Sequence, residues 1–242
     1  MRKLTLLLII ICSFSLQSCL DILEEINLNK KGDGDYAITF DMSSLFANPM
    51  MKEMLLQGLS EQEGMPDITV DGNLEVDTLV AFKDAPLTGG NTADMPAILK
   101  KATMAMKVSE SKGEFKMKMA LDFDDPSEIG EFYKALNSIG EGQQQGLGGM
   151  MPGQALFDTK KRTLIRKGAG AESMSSALDE EQLSMMRMVM ASATYKVIYN
   201  LPKKVKRHSL LNSTVDGKKI TVEASYLDIL EGKTKLDGEV KW

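Results

Sequence analysis

Several residue types are scarce in this chain, and each scarcity excludes a class of protein. The 242 residues include two cysteines and one histidine, too few for a zinc site built from cysteine and histidine or for a framework of disulfide bonds. Acidic residues outnumber basic ones by 34 to 29, which gives a formal net charge of −5. Because nucleic-acid binders carry an excess of positive charge, nucleic acid is not expected as a partner.

Methionine, in contrast, is unusually frequent, with 18 residues against 8 phenylalanines and 1 tryptophan. The rest of the composition is that of an ordinary globular chain, since 43% of the residues are hydrophobic and 26% are charged. A chain of this length and composition can bury a substantial core. The methionines are therefore the compositional feature that needs an explanation.

The first eighteen residues have the pattern of a secretory signal peptide. Arg2 and Lys3 form a short basic segment, and a mostly apolar stretch follows over residues 4–16, interrupted by two serines. A membrane-spanning helix needs roughly 20 apolar residues. This stretch is shorter and has the length of the apolar region of a signal peptide.

The end of this segment, Leu16-Gln17-Ser18-Cys19, resembles the lipobox of bacterial lipoproteins. In that family the signal is cut before the cysteine, whose thiol carries diacylglycerol and whose new amino group is acylated. The resemblance implies lipid attachment at Cys19 and a membrane as partner through the anchor. Leu20 stands where an inner-membrane retention signal would place aspartate, so the outer membrane is the expected location. The periplasmic and the external face both stay open.

A second resemblance concerns sorting. Asp21, Glu24 and Glu25 form an acidic patch after the cysteine, similar to that of Bacteroidota-type lipoproteins that are exported to the cell surface. The closing segments over 195–202 and 216–222 are also similar to the ends of envelope lipoproteins. No functional residue follows from this likeness.

The remaining chain is interpreted as a tether followed by one folded domain. Residues 24–35 are polar and contain glycine, which is typical of a flexible connection. We therefore divide the chain into a signal peptide over 1–18, a lipidated tether over 19–34 and a domain over 35–242. Strands and helices both follow in the domain, and we predict an α+β fold, with an antiparallel sheet and two or three helices packed on one of its faces.

Two patterns within the domain are especially clear. Apolar and polar residues alternate over 102–109 and again over 115–123, which predicts a β-hairpin with a four-residue turn. Three apolar pairs are then expected on one face: Val108 with Phe115, Met106 with Met117, and Met104 with Met119.

A helix is predicted next, because Asp125 can cap it, Pro126 suits its first turn and an apolar stripe follows. Further helices are predicted from Asn48 to before Gly58 and over about 180–191.

The last of these helices is rich in methionine, and three interpretations are open. Methionine is an unbranched residue that fills gaps, so the residues can pack in the core. Thioethers also suit Cu(I), although copper carriers usually add histidine or cysteine. The third interpretation is an adaptable apolar pocket between this helix and the sheet. Its candidate ligand-binding residues are Met104, Met106, Met117, Met119, Met186 and Met190.

No catalytic residue, metal site or cofactor is expected. His208 is the one histidine, and it lies in a lysine-rich segment over 203–208 that is typical of a solvated edge strand. Contact of this segment with anionic lipid headgroups is the alternative.

We predict a lipid-anchored, non-enzymatic binding or assembly module that holds a lipid or another apolar ligand. The alternative is a surface-exposed, adhesion-like lipoprotein that contacts another envelope protein and has no ligand pocket.

Overall fold

The computed structural model describes residues 20–44, 52–53, 69–70, 73–82, 95–140, 155–168, 187 and 190–242. Within them the strands, in chain order, are β1 (Asp21–Leu28), β2 (Gly34–Asp41), β3 (Thr69–Val70), β4 (Asn73–Ala81), β5 (Ala102–Ser109), β6 (Glu114–Phe123), β7 (Ala155–Thr159), β8 (Thr163–Gly168), β9 (Thr194–Asn200), β10 (Arg207–His208), β11 (Ser213–Asp216), β12 (Lys219–Ser225) and β13 (Gly238–Lys241). The α-helices are α1 (Ser127–Gly140) and α2 (Tyr226–Leu230), and a 3-10 helix covers Ala97–Lys101. No helix in this part of the chain is both long enough and apolar enough to cross a bilayer.

Strand β1 lies at the centre of the larger of two sheets. The strand order of this sheet is β11-β12-β9-β1-β2-β6-β5-β4-β3. Neighbours are antiparallel, except that β1 and β9 run parallel. In this parallel pair Asp21 is opposite Thr194, 173 residues later in the chain. The first strand and a late one thus form the middle of the sheet together.

The larger sheet has one apolar face, because the apolar residues at alternate positions of each strand lie opposite those of the neighbouring strands. A single row across seven strands carries side chains of this inner face. Its members, from β12 to β4, are Val222, Val197, Glu24, Ile38, Met119, Met104 and Val80. Six of these seven residues are apolar, and Glu24 is the exception. The inner face is therefore a continuous hydrophobic surface that needs a second layer to cover it.

The β5–β6 hairpin has the predicted register. Val108 is opposite Phe115, and Met106 and Met104 are opposite their predicted methionine partners. The turn between the strands occupies Glu110–Gly113, and Gly113 adopts a φ of 63°, a conformation that glycine accepts without cost. Local alternation and turn length were sufficient to predict this unit.

The second layer consists of a four-stranded sheet and helix α1. The strand order of the smaller sheet is β10-β13-β8-β7, and α1 packs beside β7. A Cβ at Gly130 of α1 would come within 3.0 Å of the Leu156 side chain, so the glycine permits the close approach of helix and strand. The buried stripe of α1 contains Ile129, Phe132, Tyr133 and Leu136.

The predicted α+β class is wrong in its architecture. The inner face of the larger sheet is covered by a second sheet as well as by α1, and strands predominate in the described residues. Helix α1 itself confirms the helix expected after Pro126. The helices predicted from Asn48 and over about 180–191 lie almost entirely outside the described residues. Nothing in the local alternation of the residues after α1 indicated that four strands of this region form a separate sheet.

The tether predicted over 19–34 is also wrong for Asp21–Leu28, which form the central strand β1. Three inward positions of β1, Ile22, Ile26 and Leu28, are apolar and buried. The fourth inward position is Glu24, and this single charge concealed the alternation. In the same way, the acidic patch predicted over Asp21, Glu24 and Glu25 is not a surface patch, because Glu24 is fully buried.

Smaller differences concern the end of the chain. Within the lysine-rich segment over 203–208, only Arg207–His208 form a strand, and the last strand of the chain is limited to Gly238–Lys241. Residues 214–224 form two strands around a turn at Gly217, whose φ is 59°. Helix α2 was not predicted, since five residues are too few for a helical periodicity to stand out.

Candidate functional site

A buried ion pair connects the two sheets. Glu24 of β1 is 0% exposed and Arg166 of β8 is 4% exposed. The Nη1 atom of Arg166 lies 2.8 Å from the Oε2 atom of Glu24. The guanidinium carbon of Arg166 is also 5.3 Å from the centre of the Phe157 ring on β7, a distance at which the ring face attracts a cation. Opposite charges thus meet in the hydrophobic layer between the sheets.

Tyrosine hydroxyls extend this polar cluster. Tyr195 donates a hydrogen bond to Glu24 Oε2 over 2.8 Å, and Arg166 Nη1 donates one to the Tyr199 hydroxyl over 3.2 Å. Both tyrosines lie on β9, the parallel neighbour of β1. A second pair lies nearby, in which the hydroxyls of Tyr36 on β2 and Tyr133 on α1 are 2.5 Å apart. The cluster therefore links both layers of the fold.

The electrostatics of the cluster follow from burial. Burial raises the pKa of Tyr36 and Tyr195 well above the usual range, and the negative charge of Glu24 adds to this rise. Burial also raises the pKa of Tyr133, Tyr199 and Tyr226. For Arg166, burial opposes the charged form, but Glu24 together with the surrounding tyrosines outweighs it, and the pKa is raised well above its usual value. The phenols therefore stay neutral while the guanidinium keeps its charge.

The polar atoms of this cluster are not equally satisfied. Within the described part of the chain, Glu24 Oε1 and Arg166 Nε have no hydrogen-bond partner. Since a buried charge needs both a counter-charge and hydrogen bonds to offset its desolvation, the pair is costly to keep. Its atoms are shielded from solvent, so the arrangement offers no open group for catalysis. What it does is specify how the smaller sheet and α1 sit on the larger sheet.

The predicted methionine site is placed only in part. Met104, Met106, Met117 and Met119 lie together on the inner face of β5 and β6, with exposures of 3%, 9%, 3% and 0%. They belong to the hydrophobic core, together with Met190, which is 8% exposed. Met186 lies outside the described residues. The structure thus brings the four sheet methionines together, and their role as ligand-binding residues stays a prediction.

Two polar surface features lie away from this cluster. A cleft of about 490 Å³ is lined by Asp33, Asp35, Asp122 and Asp124, among others. In this cleft Lys101 Nζ donates to Asp124 Oδ2 over 2.8 Å. Among the described residues no group of three or more histidine, cysteine or acidic side chains has the arrangement of a metal site.

His208 occupies the edge of the smaller sheet, as the sequence indicated. It is exposed on β10, and its Nδ1 atom lies 3.4 Å from the Ser213 hydroxyl. The adjoining recess, of about 250 Å³, also contains Arg207, Glu239 and Lys241. The solvated edge that was predicted over 203–208 is confirmed for the last two of its residues.

Comparison with known proteins gives little guidance. No protein-family model matches this chain. No curated protein matches it in sequence. Among solved structures, it is similar to the folded domain of the Mycobacterium tuberculosis LppM protein, determined by NMR. The TM-score is 0.46 at 10% sequence identity, over 93% of this chain and 90% of that one. A likeness of this extent assigns no function.

Glu24→Gln tests whether the ion pair holds the layers together. The substitution leaves the Arg166 charge buried without a counter-charge, and we expect the free energy of unfolding to fall by about 3–5 kcal/mol. Urea unfolding, followed by the fluorescence of Trp242, measures this change; Trp242 is the single tryptophan and is 6% exposed.

Glu25→Gln is the matched control, because Glu25 is on the opposite face of β1 and partly exposed. It should change the free energy of unfolding by less than about 0.5 kcal/mol. The double variant Glu24→Leu/Arg166→Met should recover most of the loss, since apolar residues of similar volume replace both charges. Equal urea midpoints for Glu24→Gln and Glu25→Gln would contradict the proposed role of the pair.

The tyrosines predict a pH dependence. All five tyrosines of the chain are buried, and the pKa of each is raised in the folded state. In the unfolded chain, tyrosine side chains ionise at about pH 10. The stability that they contribute is therefore complete below that pH and is lost as the pH rises above it. Phenolate absorbance should appear together with the loss of native Trp242 fluorescence. A gradual titration near pH 10 with native fluorescence would show that this expectation is wrong.

Proposed function

We propose that this chain is a lipid-anchored envelope lipoprotein whose folded body is a non-enzymatic binding or assembly module. The lipobox Leu16-Gln17-Ser18-Cys19 carries the proposal. The resemblance to bacterial lipoproteins extends to the basic residues and the apolar stretch that precede it. Outer-membrane location belongs to the same proposal, since Leu20 stands where an inner-membrane retention signal would have aspartate.

The position of Leu20 is compatible with cleavage before Cys19. Leu20 is 3% exposed, and its carbonyl accepts a hydrogen bond from the Thr194 backbone N–H over 3.0 Å. A chain cut between Ser18 and Cys19 would keep Leu20 and every residue of β1. The proposed cut therefore leaves Leu20 and the whole of β1 in the mature chain.

The finer proposal is that the body holds a lipid or another apolar ligand. It is supported by four methionines on one sheet face, since thioether side chains adapt to varied apolar shapes. In this proposal Met104, Met106, Met117 and Met119 form one wall of the binding site. The buried ion pair would keep the two layers in a constant relation beside that wall.

The exposed face of the larger sheet favours a second candidate function. Leu79 on β4 is 75% exposed and lies on the outer face beside Ala105 of β5. Elsewhere in the described chain, Leu211 is 60% exposed and Val215 is 46% exposed. An apolar side chain at such a position gains free energy when a partner covers it. The alternative is thus a lipoprotein that contacts another envelope protein and has no ligand pocket.

Cys19→Ala tests the anchor. The variant should lose incorporation of a labelled fatty acid and should no longer float with membranes, because the thiol that accepts the lipid is absent. Cys12→Ala is the matched control, since it removes the other cysteine of the chain and should keep full labelling. Labelling that persists in Cys19→Ala would refute the proposed anchor.

Native mass spectrometry of the full lipidated chain, purified in detergent from its own envelope, tests the apolar ligand. The finer proposal predicts a mass above that of the acylated chain, which disappears on extraction with organic solvent. Met119→Trp should reduce the bound fraction, because the larger ring fills space at the centre of the methionine wall. A mass equal to that of the acylated chain alone would contradict ligand binding and favour the protein-contact alternative.

A further inference from the structure

The beginning of β1 determines which end of the fold is tied to Cys19. Leu20 is buried and hydrogen-bonded to Thr194. Asp21 is then opposite Asp41 of β2, and its carboxylate accepts a hydrogen bond from the Thr194 hydroxyl. Adjacent Cα atoms are about 3.8 Å apart. A lipid on Cys19 is therefore separated from the sheet by a single residue.

We infer that the bilayer surface lies directly against this end of the larger sheet, with no spacer between lipid and fold. This inference rests on the proposed lipidation of Cys19. We call this end the anchor end, and it consists of Leu20, Asp21, Thr194, the turn Glu110–Gly113 and the start of α2 at Tyr226. The partner surface is a layer of phospholipid headgroups.

The register of the sheet places the β5–β6 turn at the same end of the sheet as Leu20 and Asp21. Asp21 is opposite Asp41, and Asp41 is opposite Lys116 of β6. Strand β6 begins two residues before Lys116, at Glu114, so the turn projects beyond Asp21 toward the lipid. It is two strands away from β1, about 10 Å across the sheet. The turn should therefore meet the headgroups when the lipid is inserted.

Helix α2 is on the other side of the same end. The backbone N–H of Tyr226 donates to the carbonyl of Ala193 over 2.9 Å, next to Thr194. Leu227, Ile229 and Leu230 of α2 are partly buried against the core. Leu20 thus lies between α2 and the β5–β6 turn, so contact with the bilayer is expected on both sides of the proposed anchor.

The charges at the anchor end and on the adjoining strands are balanced, since the turn contains Glu110 as well as Lys112 and two strand lysines are paired with carboxylates. Lys116 pairs with Asp41 over 3.2 Å, and Lys107 pairs with Glu114 over 3.0 Å. Both lysines thus have a carboxylate close by, which weakens their pull toward anionic headgroups. The contact should accordingly depend little on salt.

The acidic cleft lies at the opposite end of the sheet. Strand β1 has eight residues, which span about 25 Å at ~3.3 Å each. The turn after β1 contains Lys30 and Lys31, and the cleft with Asp33 and Asp122 is next to it. The cleft is thereby held away from the membrane, where it is open to the surrounding medium.

Two single-cysteine variants test this orientation. Cys12 and Cys19 are the only cysteines of the chain, so the processed, lipidated protein has no other thiol. Lys112→Cys in the β5–β6 turn and Lys30→Cys at the far end are both at exposed positions. Each lipidated protein is labelled with a fluorophore and placed in phosphatidylcholine vesicles whose headgroups carry a quencher. The Lys112→Cys label should lose most of its emission, and the Lys30→Cys label should keep most of it.

A ten-residue Gly/Ser insertion between Cys19 and Leu20 is the control. A flexible spacer frees the body from the surface, so quenching at the two positions should become similar and weak. Equal quenching in the proteins without the spacer, or stronger quenching at Lys30→Cys, would overturn the orientation.

Flotation with the vesicles distinguishes failure of the proposed orientation from failure of the proposed lipid anchor. A protein that floats with equal quenching refutes the orientation alone, whereas a protein that neither floats nor carries an acyl mass refutes the anchor as well.

Discussion

The ion pair between Glu24 and Arg166 is the constraint on which the two-layer arrangement depends. The hydrophobic effect is not directional, whereas a buried carboxylate tolerates only positions in which its counter-charge stays within reach. Tyr195 and Tyr199 hold the two ends of this pair from the neighbouring strand β9. The docking of the smaller sheet is thus specified by a few polar atoms, and the surrounding apolar side chains supply the free energy of burial.

The same cluster explains why part of the fold was predictable and part was not. The β5–β6 hairpin and α1 depend on neighbouring residues, and alternation, turn length and capping indicated them correctly. Strand β1 depends on a partner far along the chain, because Glu24 is acceptable inside the protein only when Arg166 lies opposite. No local pattern contains that information, so the segment was mistaken for a tether.

For the candidate site, too, the sequence predicted what depends on neighbouring residues and missed what depends on distant partners. Alternation was sufficient to place four methionines on one face of the hairpin, and the structure brings them together in the core. The buried cluster of Glu24, Arg166 and the tyrosines was missed. The usable signal was the presence of five tyrosines in a chain poor in aromatics, because phenols that become buried, as all five do here, generally need polar partners. The sequence did not show which charged residues those partners would be.

The parallel pairing of β1 with β9 also sets an order of events during biosynthesis. Strand β1 emerges first, but its neighbour follows 173 residues later. Until then one edge of β1 is open, and Leu20 lacks the hydrogen bond that Thr194 donates in the folded protein. Once β9 is in place, Leu20 is buried and hydrogen-bonded. For a chain lipidated as proposed, we therefore expect acylation and signal cleavage to precede the pairing of β1 with β9.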